Sequence, residues 1–222
     1  MAMKKIIDSL EFFSNLSEDE VVELMFISSL KNYNSECLLH YEKTQNNKLL
    51  FLVDGLAKAY KMDKHDNEIF LYYIYKNHML SEISLLQDEC LNSYSNITFV
   101  EDSQVLSINY RQFKKQFLDN GLLCLELASE VIRQSKLLQA LVNREFIFDS
   151  VAKVAMMLST DLDMFNKLKR YDVSLMLHIQ PSTLSRVLSR LKHNGIINIE
   201  RGKVIIVNAK GLSKIYEGLD NE

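Results

Sequence analysis

Apolar and polar positions along this chain keep three different rhythms. Near the start, Ser17-Glu18-Asp19-Glu20 sets a hydroxyl three residues before a carboxylate, the reciprocal pair that caps a helix. Val21, Val22, Leu24, Met25 and Ile27 carry that helix on. From about Lys31 to Asn109 the rhythm shortens, and apolar runs (LLFLV, AKAYKM, EIFLYYIY, SNITFV, QVLSI) alternate with turn material (DG, DKHDN, KN, EDS). Short strands spaced by about 8–12 residues predict a β-sandwich or rolled barrel, interrupted by a short helix over Met79–Gln87. From Tyr110 the helical period returns. It predicts a short helix over Arg111–Leu118, a break at Asn120-Gly121, a long helix from about Leu122 to Asn143 and another over Phe146–Ser159.

The most informative stretch is Arg170–Lys203, which reads as two short helices, a tight turn and a β-ribbon. Pro181 suits a first helical turn, where its missing N–H would go unpaired anyway. Leu184, Val187, Leu188 and Leu191 then make one apolar stripe, while Ser182, Thr183, Ser185, Arg186, Ser189, Arg190 and Lys192 occupy the other face. Asn194-Gly195 supplies the stop, and Glu200-Arg201-Gly202 can close a hairpin between two β-rich segments, Ile196–Ile199 and Lys203–Val207. Helix, turn, helix and hairpin is the order of a winged DNA reader. An ordinary amphipathic helix with a solvated basic face explains the stripe but not the sequence of elements.

Charge favours the reader. Pro181–Lys214 holds seven bases and one acid, a net +6, in a chain of net charge −3, so everything else sums to −9. Phosphate attraction needs positive charge where the duplex sits rather than over the whole protein. In the long helix, Leu123, Leu127, Val131, Gln134, Leu138 and Leu141 are spaced by 4, 4, 3, 4 and 3. That stripe is either a coiled-coil seam between two copies or a face packed on its own domain.

The bulk numbers change little. A length of 222 residues, 47% hydrophobic and 25% charged, suits a soluble globular protein of one large or two small domains. The opening MAMKKIIDSLEFF has neither a secretory nor an anchoring pattern, and no apolar run approaches the ~18 residues of a membrane span. Cys37, Cys90 and Cys124 are odd in number and far apart, which argues against disulfides and clustered metal ligands and for a cytoplasmic setting. Cys90 and Cys124 are expected to be buried apolar thiols. With no Gly-rich phosphate loop, metal-ligand pair or nucleophile elbow, an enzyme is not indicated, and Glu82, Asp88 and Glu89 read as a solvated turn.

In its order of elements and in its motifs the chain resembles the Crp/Fnr family of bacterial transcription regulators over nearly its whole length. The similarity rests on FFSNLSEDE, FLVDGLAKAY, LSEISLL, the long helix and above all IQPSTLSRVLSRLKHNGIINIERGKVIIV. It implies an α+β fold: an N-terminal double-stranded β-helix (a jelly roll of cyclic-nucleotide-binding type) over 1–120, a dimerisation helix over 121–144 and a C-terminal winged helix-turn-helix over 145–222. It also implies a homodimer on a palindromic promoter site, with RNA polymerase as a further partner. The family's recognition helix reads E-T-x-S/G-R, which falls on Ser182-Thr183-Leu184-Ser185-Arg186. Arg186 is retained and can bond guanine O6 and N7 together. Ser185 matches the Fnr-like branch, and Ser182 replaces a glutamate, so the operator is expected to differ there. Arg170 matches a position that contacts the DNA backbone, Thr183 a phosphate, and Arg190 and Lys192 add charge to the same face.

The signal site departs from the family pattern. Cyclic-nucleotide binders carry G-E and, about ten residues on, an Arg–Ser/Thr pair; here Ser81-Glu82 stands for the first, and Ser93 followed by Tyr94 for the second. A buried cyclic phosphate would lack its cation, which argues against cyclic AMP. The cysteines do not match the iron–sulfur-binding members either. Haem, another small ligand, a redox thiol or no ligand remain, and I-Q-P-x-T-x-S-R resembles the nitric-oxide-responsive branch, which would make His78 the candidate axial ligand. His178, at the turn of the helix-turn-helix where relatives often have Gly, is given a structural role at positive φ. The competing class is a ligand-binding or protein-docking module whose winged helix touches no DNA.

Overall fold

A computed structural model describes residues 2–83, 86, 89–142 and 148–216. The chain forms two compact units, Met1–Leu138 and Gln139–Glu222.

The first unit opens with α1 (Ala2–Ser9) and α2 (Glu18–Phe26). Ser17 and Glu20 form the expected capping box, each side chain bonding the other's backbone N–H. Among the described residues ten strands follow: β1 (Ser28–Tyr33), β2 (Leu38–His40), β3 (Gln45–Asn46), β4 (Lys48–Asp54) and β5 (Leu56–Met62) come first. Then come β6 (Glu68–Tyr75), β7 (His78–Met79), β8 (Leu91–Asn92), β9 (Asn96–Phe99) and β10 (Ser103–Asn109). They make two four-stranded sheets, ordered β1-β10-β4-β7 and β2-β9-β5-β6, and the small pair β3-β8. All the pairings are antiparallel. This is the rolled architecture that the short apolar runs predict.

Alternation along β4 sends side chains to two cores. Leu49 and Phe51 join Phe12, Phe13, Phe113 and Phe117. Leu50 and Leu52 join Ala57, Ala59, Ile97, Phe99 and Val105 between the sheets. The FF of the opening motif is thus a packing device: the Phe12 and Phe13 rings lie 4.8 and 5.1 Å from the Phe51 ring. The turn between β4 and β5 depends on Gly55, at φ +96. A Cβ there would strike the Ser103 side chain and come within 2.8 Å of the Asp102 carbonyl.

Three expectations are corrected. Met79 lies in β7, paired with Phe51, and Leu80–Ile83 is not helical; of the helix expected over Met79–Gln87, Ser84, Leu85 and Gln87 lie outside the described residues, as does Asp88. Arg111–Leu118 is not one helix but α3 (Tyr110–Phe113) followed by a single π-type turn over Lys114–Leu118. Cys124 is exposed at the start of α4 (Cys124–Val142) and Cys90 is only half-buried, because neither side chain points into a core.

The second unit holds α5 (Ser150–Thr160), α6 (Leu162–Lys167), α7 (Arg170–Met176), α8 (Pro181–His193), the hairpin β11 (Ile197–Glu200) and β12 (Lys203–Ile206), and α9 (Ala209–Ser213). Asn143 and Phe146, expected to end one helix and start the next, lie outside the described residues. The start of α5 is set by Asp149, whose carboxylate accepts from Val151 N and Ala152 N at 2.9 and 2.8 Å. Its core gathers Val154, Ala155, Leu158, Phe165, Val173, Leu184, Leu188, Leu191, Val204 and Leu212, all nearly inaccessible. Each such leucine contributes about 1.5–3 kcal/mol by leaving water, so the apolar stripe of α8 anchors that helix and releases its opposite face.

Candidate functional site

Helix α8 begins as its sequence predicts, with Pro181 at the first helical position and Gln180 before it. The stop is Gly195, at φ +68. Leu184, Val187, Leu188 and Leu191 are buried, whereas Ser182, Ser185, Arg186, Ser189, Arg190 and Lys192 are exposed and Thr183 is half-buried. Spacings of four, three and four bring Ser182, Arg186, Ser189 and His193 into line along the exposed face. Arg186 Nη2 donates to Thr183 Oγ1 at 3.2 Å, and Ser185 Oγ donates to the Pro181 carbonyl at 3.1 Å. The first bond holds a guanidinium along the helix while leaving it other N–H donors. The turn before α8 passes through His178 at φ +50, the left-handed conformation expected of it. Ile179 N closes the turn on the Ser174 carbonyl at 3.0 Å.

The hairpin after α8 turns through Arg201 and Gly202, at φ +48 and +81, with Glu200 paired to Lys203. Two successive left-handed residues make the tight hairpin turn whose twist suits its strands. Gly takes this conformation freely, but Arg does not. Arg170, expected on the DNA backbone, is half-buried, and burial lowers its pKa from the ordinary value. Its Nη2 donates to the Gly202 carbonyl at 2.9 Å, its Nη1 to the Phe165 carbonyl at 3.4 Å, and the guanidinium lies 4.4 Å over the Phe165 ring. Four residues earlier, in α6, Asn166 Nδ2 donates to the Val204 carbonyl at 2.9 Å, and Asn166 Oδ1 accepts from Val204 N at 2.8 Å. Sequence reasoning missed Asn166, because a polar residue in a short helix carries no periodic signal.

The Glu82 region, where the sequence departs from the cyclic-nucleotide pattern, is closed by internal hydrogen bonds. Glu82, expected in a solvated turn, is half-buried and fully engaged. Its Oε2 accepts from Tyr94 N at 2.5 Å and Ser95 N at 3.2 Å, and its Oε1 from Ser95 Oγ at 3.1 Å and the Tyr72 hydroxyl at 3.5 Å. Burial first, and the Glu82 carboxylate second, push the Tyr72 phenol well above its ordinary range, against an opposing effect of Arg133. Ser93, which stands where the family has Arg, is buried, and its backbone pairs with Lys43 and Thr44 at 2.7 and 3.0 Å. Ser81 Oγ accepts from Leu50 N at 2.9 Å. Glu89, the other described carboxylate of this turn, is exposed and pairs with Arg111 at 3.1 Å.

Helix α4 is fastened to this region. Gln134 Nε2 donates to the Ser81 carbonyl at 3.0 Å. Glu130 takes both His78 Nδ1 at 3.2 Å and Arg133 Nη2 at 2.9 Å. Burial pushes the Glu130 carboxyl up, but hydrogen bonds from His78 and Arg133 outweigh it and hold it below its usual value. His78, the candidate axial ligand, is therefore in contact with Glu130 through one ring nitrogen. Of the expected seam, Leu123 and Leu127 are buried in the first unit's core and Gln134 faces the roll, while Val131 and Leu138 are exposed. Leu141 is half-buried. Besides Val131 and Leu138 of the predicted seam, Leu125, Ile132 and Val142 are exposed apolar side chains on the same helix.

Among the described residues no cluster of His, Cys, Asp and Glu could hold a metal ion, and no helix is long and apolar enough to cross a membrane.

A β-roll of this order followed by a winged helix-turn-helix defines a class of regulator, and comparison with known proteins agrees. Residues 30–120 match the cyclic nucleotide-binding domain, and residues 151–215 match the Crp-like helix-turn-helix domain. The chain belongs to the Crp/Fnr family of transcription regulators. No curated protein matches it closely enough to count as a relative. Among solved structures it is similar to a CooA variant from Carboxydothermus hydrogenoformans, at 18% identity and TM-score 0.73, covering 92% of this chain and 94% of that one. FixK2 from Bradyrhizobium japonicum aligns at 14% identity and TM-score 0.71 over 86% of this chain and 98% of its own. The c-di-GMP-responsive regulator CLP from Xanthomonas campestris aligns at 14% identity and TM-score 0.61 over 86% and 99%. Likeness at such identities speaks to fold alone.

Proposed function

We propose that this chain is a sequence-specific DNA-binding transcription regulator that acts as a homodimer on a palindromic promoter site and carries no catalysis. The observation that carries the reading is the exposed face of α8: hydroxyls and guanidinium groups with no carboxylate among them, raised on a buried leucine stripe. Phosphates attract such a face, and Arg186 reads base edges from it. Pairing of two copies is supported by the exposed apolar side chains of α4, which include Leu125, Ile132 and Val142, since apolar side chains gain by excluding water between two helices. RNA polymerase is the partner through which such a regulator would act.

The roll is read as a signal domain that does not take cyclic AMP. The support is Glu82, whose oxygens already accept from Tyr94, Ser95 and Tyr72, and the absence of a guanidinium at Ser93. The test is a gel shift on duplexes selected by the protein from a random pool, repeated at rising salt, with molecular mass measured in solution. Salt-sensitive binding of a dimer to an inverted repeat, unaffected by cyclic AMP, is the expected result. A monomer that retains no duplex at low salt would overturn the reading in favour of a ligand or docking module. Ile132→Lys should dissociate the dimer, whereas Leu127→Ala should weaken the fold of the first unit.

A further inference from the structure

We infer that Asn166 and Arg170 are positioning residues that hold the β11–β12 hairpin, the wing, against the phosphate backbone; the inference rests on the DNA-binding reading above. The two residues stand four apart in sequence, at the end of α6 and the start of α7, and both reach across to the same hairpin. Asn166 pairs with both backbone groups of Val204, as a neighbouring strand would, at 2.9 and 2.8 Å. Arg170 takes the Gly202 carbonyl at the tip at 2.9 Å, and its guanidinium is fixed from behind by the Phe165 ring and carbonyl. A two-stranded hairpin is marginal by itself, and this one contains an Arg in the left-handed region at its turn. Such a conformation persists only where its surroundings over-determine it, and these bonds from outside the hairpin act on the turn and its return strand.

What is held in place is charge. Arg201 and Lys203 flank Gly202, are exposed, and make no ion pair with any described residue. Fixed at the tip of a clamped hairpin, they form a second cationic point beyond α8. Arg170 acts there through the wing, its guanidinium held by two carbonyls and a ring.

The experiment uses the full-length protein and two fluorescent duplexes of equal length, one selected by the wild type from a random pool and one of mixed sequence. Affinity is measured across a salt series for wild type, Asn166→Ala, Arg170→Lys, the double change Arg201→Ala with Lys203→Ala, and the triple change that adds Asn166→Ala. Asn166→Ala is expected to weaken both duplexes alike and to reduce the salt slope by about 1 for each phosphate that the freed wing no longer neutralises. It should match the double change, and adding it to the double change should do nothing further. Arg170→Lys keeps the positive charge, so it should follow Asn166→Ala only if the residue works by holding the wing. Amide exchange across Ile197–Ile206 should quicken in both variants while α8 stays protected, which separates a freed wing from a domain that fails to fold. Asn166→Ala with an unchanged slope, an effect fully additive with removal of the wing charges, or an Arg170→Lys variant that binds like the wild type would each overturn the inference. A wild type that binds neither duplex would overturn the DNA-binding reading itself, and the wing's role with it.

Discussion

The exposed face of α8 and the Glu82 cluster of the roll are both built of polar side chains, and they are finished in opposite ways. On α8, seven polar side chains stand in water on a buried leucine stripe, and the side-chain bonds of Ser185 and Arg186 run along the helix itself. Around Glu82 every carboxylate oxygen is matched by donors from Tyr72, Tyr94 and Ser95, and α4 is tied on through Gln134 and the His78–Glu130–Arg133 group. An unmatched polar surface can exchange water for an outside partner at little cost to the fold. A matched and partly buried one cannot, because removing a partner leaves a desolvated donor or acceptor behind. The same residue types therefore mean recognition in one unit and construction in the other.

That contrast can be broken at several points, and the largest effect is expected in the roll. Gly55→Ala combines a left-handed backbone with a collision against Asp102 and Ser103, and should lower the stability of the first unit by about 2–5 kcal/mol in thermal or denaturant unfolding. Glu82→Ala strips the acceptor from two backbone N–H groups and should cost about 2–4 kcal/mol in the same measurement. A Glu82→Ala protein as stable as the wild type would show the cluster to be a vacant site and not a structural one.

Arg186→Ala is the counterpart on α8. Its stability should move by less than about 0.5 kcal/mol, while discrimination between a selected and a mixed-sequence duplex falls by about 1–3 kcal/mol. Equal weakening on both duplexes would remove Arg186 from base readout and leave it as one more positive charge.

The smallest effect is one of pH. Both ring nitrogens of His40 are inaccessible and have no hydrogen-bond partner among the described residues, and burial pushes its pKa down from an ordinary 6.5 to about 4. Between those values the unfolded chain binds a proton that the folded chain refuses. Stability from this group is therefore complete above pH 6.5, falls as the pH drops through that window and levels off below 4, by about 1–3 kcal/mol. Denaturant unfolding at pH 7 and pH 4.5 measures it, and His40→Phe should flatten the difference. A variant with the wild type's pH profile would assign the effect to other groups.

How much of this could be read before the fold was known follows from how far apart the interacting residues lie in sequence. Pro181, the spacing of Leu184, Val187, Leu188 and Leu191, and Gly195 act within one helix, so they were legible. The same holds for the Ser17–Glu20 box and for His178 at positive φ. In the long helix, apolar residues spaced by three and four run along more than one face. Periodicity chose Leu123, Leu127 and Gln134, which in the fold are spent on the first unit, while Leu125, Ile132 and Val142 stand exposed.

Local physics alone settled the class of protein: strand rhythm, helix caps and stops, and a basic face on a leucine stripe require only neighbours a few residues away. Partners 12 to 53 residues distant, such as Tyr94 and Glu82, Arg170 and Gly202, or Gln134 and Ser81, required the folded chain. Nothing in a polar residue's immediate neighbourhood says whether its hydrogen bonds will be met by water, by a ligand or by a distant carbonyl. Closure of the roll and docking of the hairpin made that choice, turning Glu82 and Arg170 inward and leaving Arg186 in solvent.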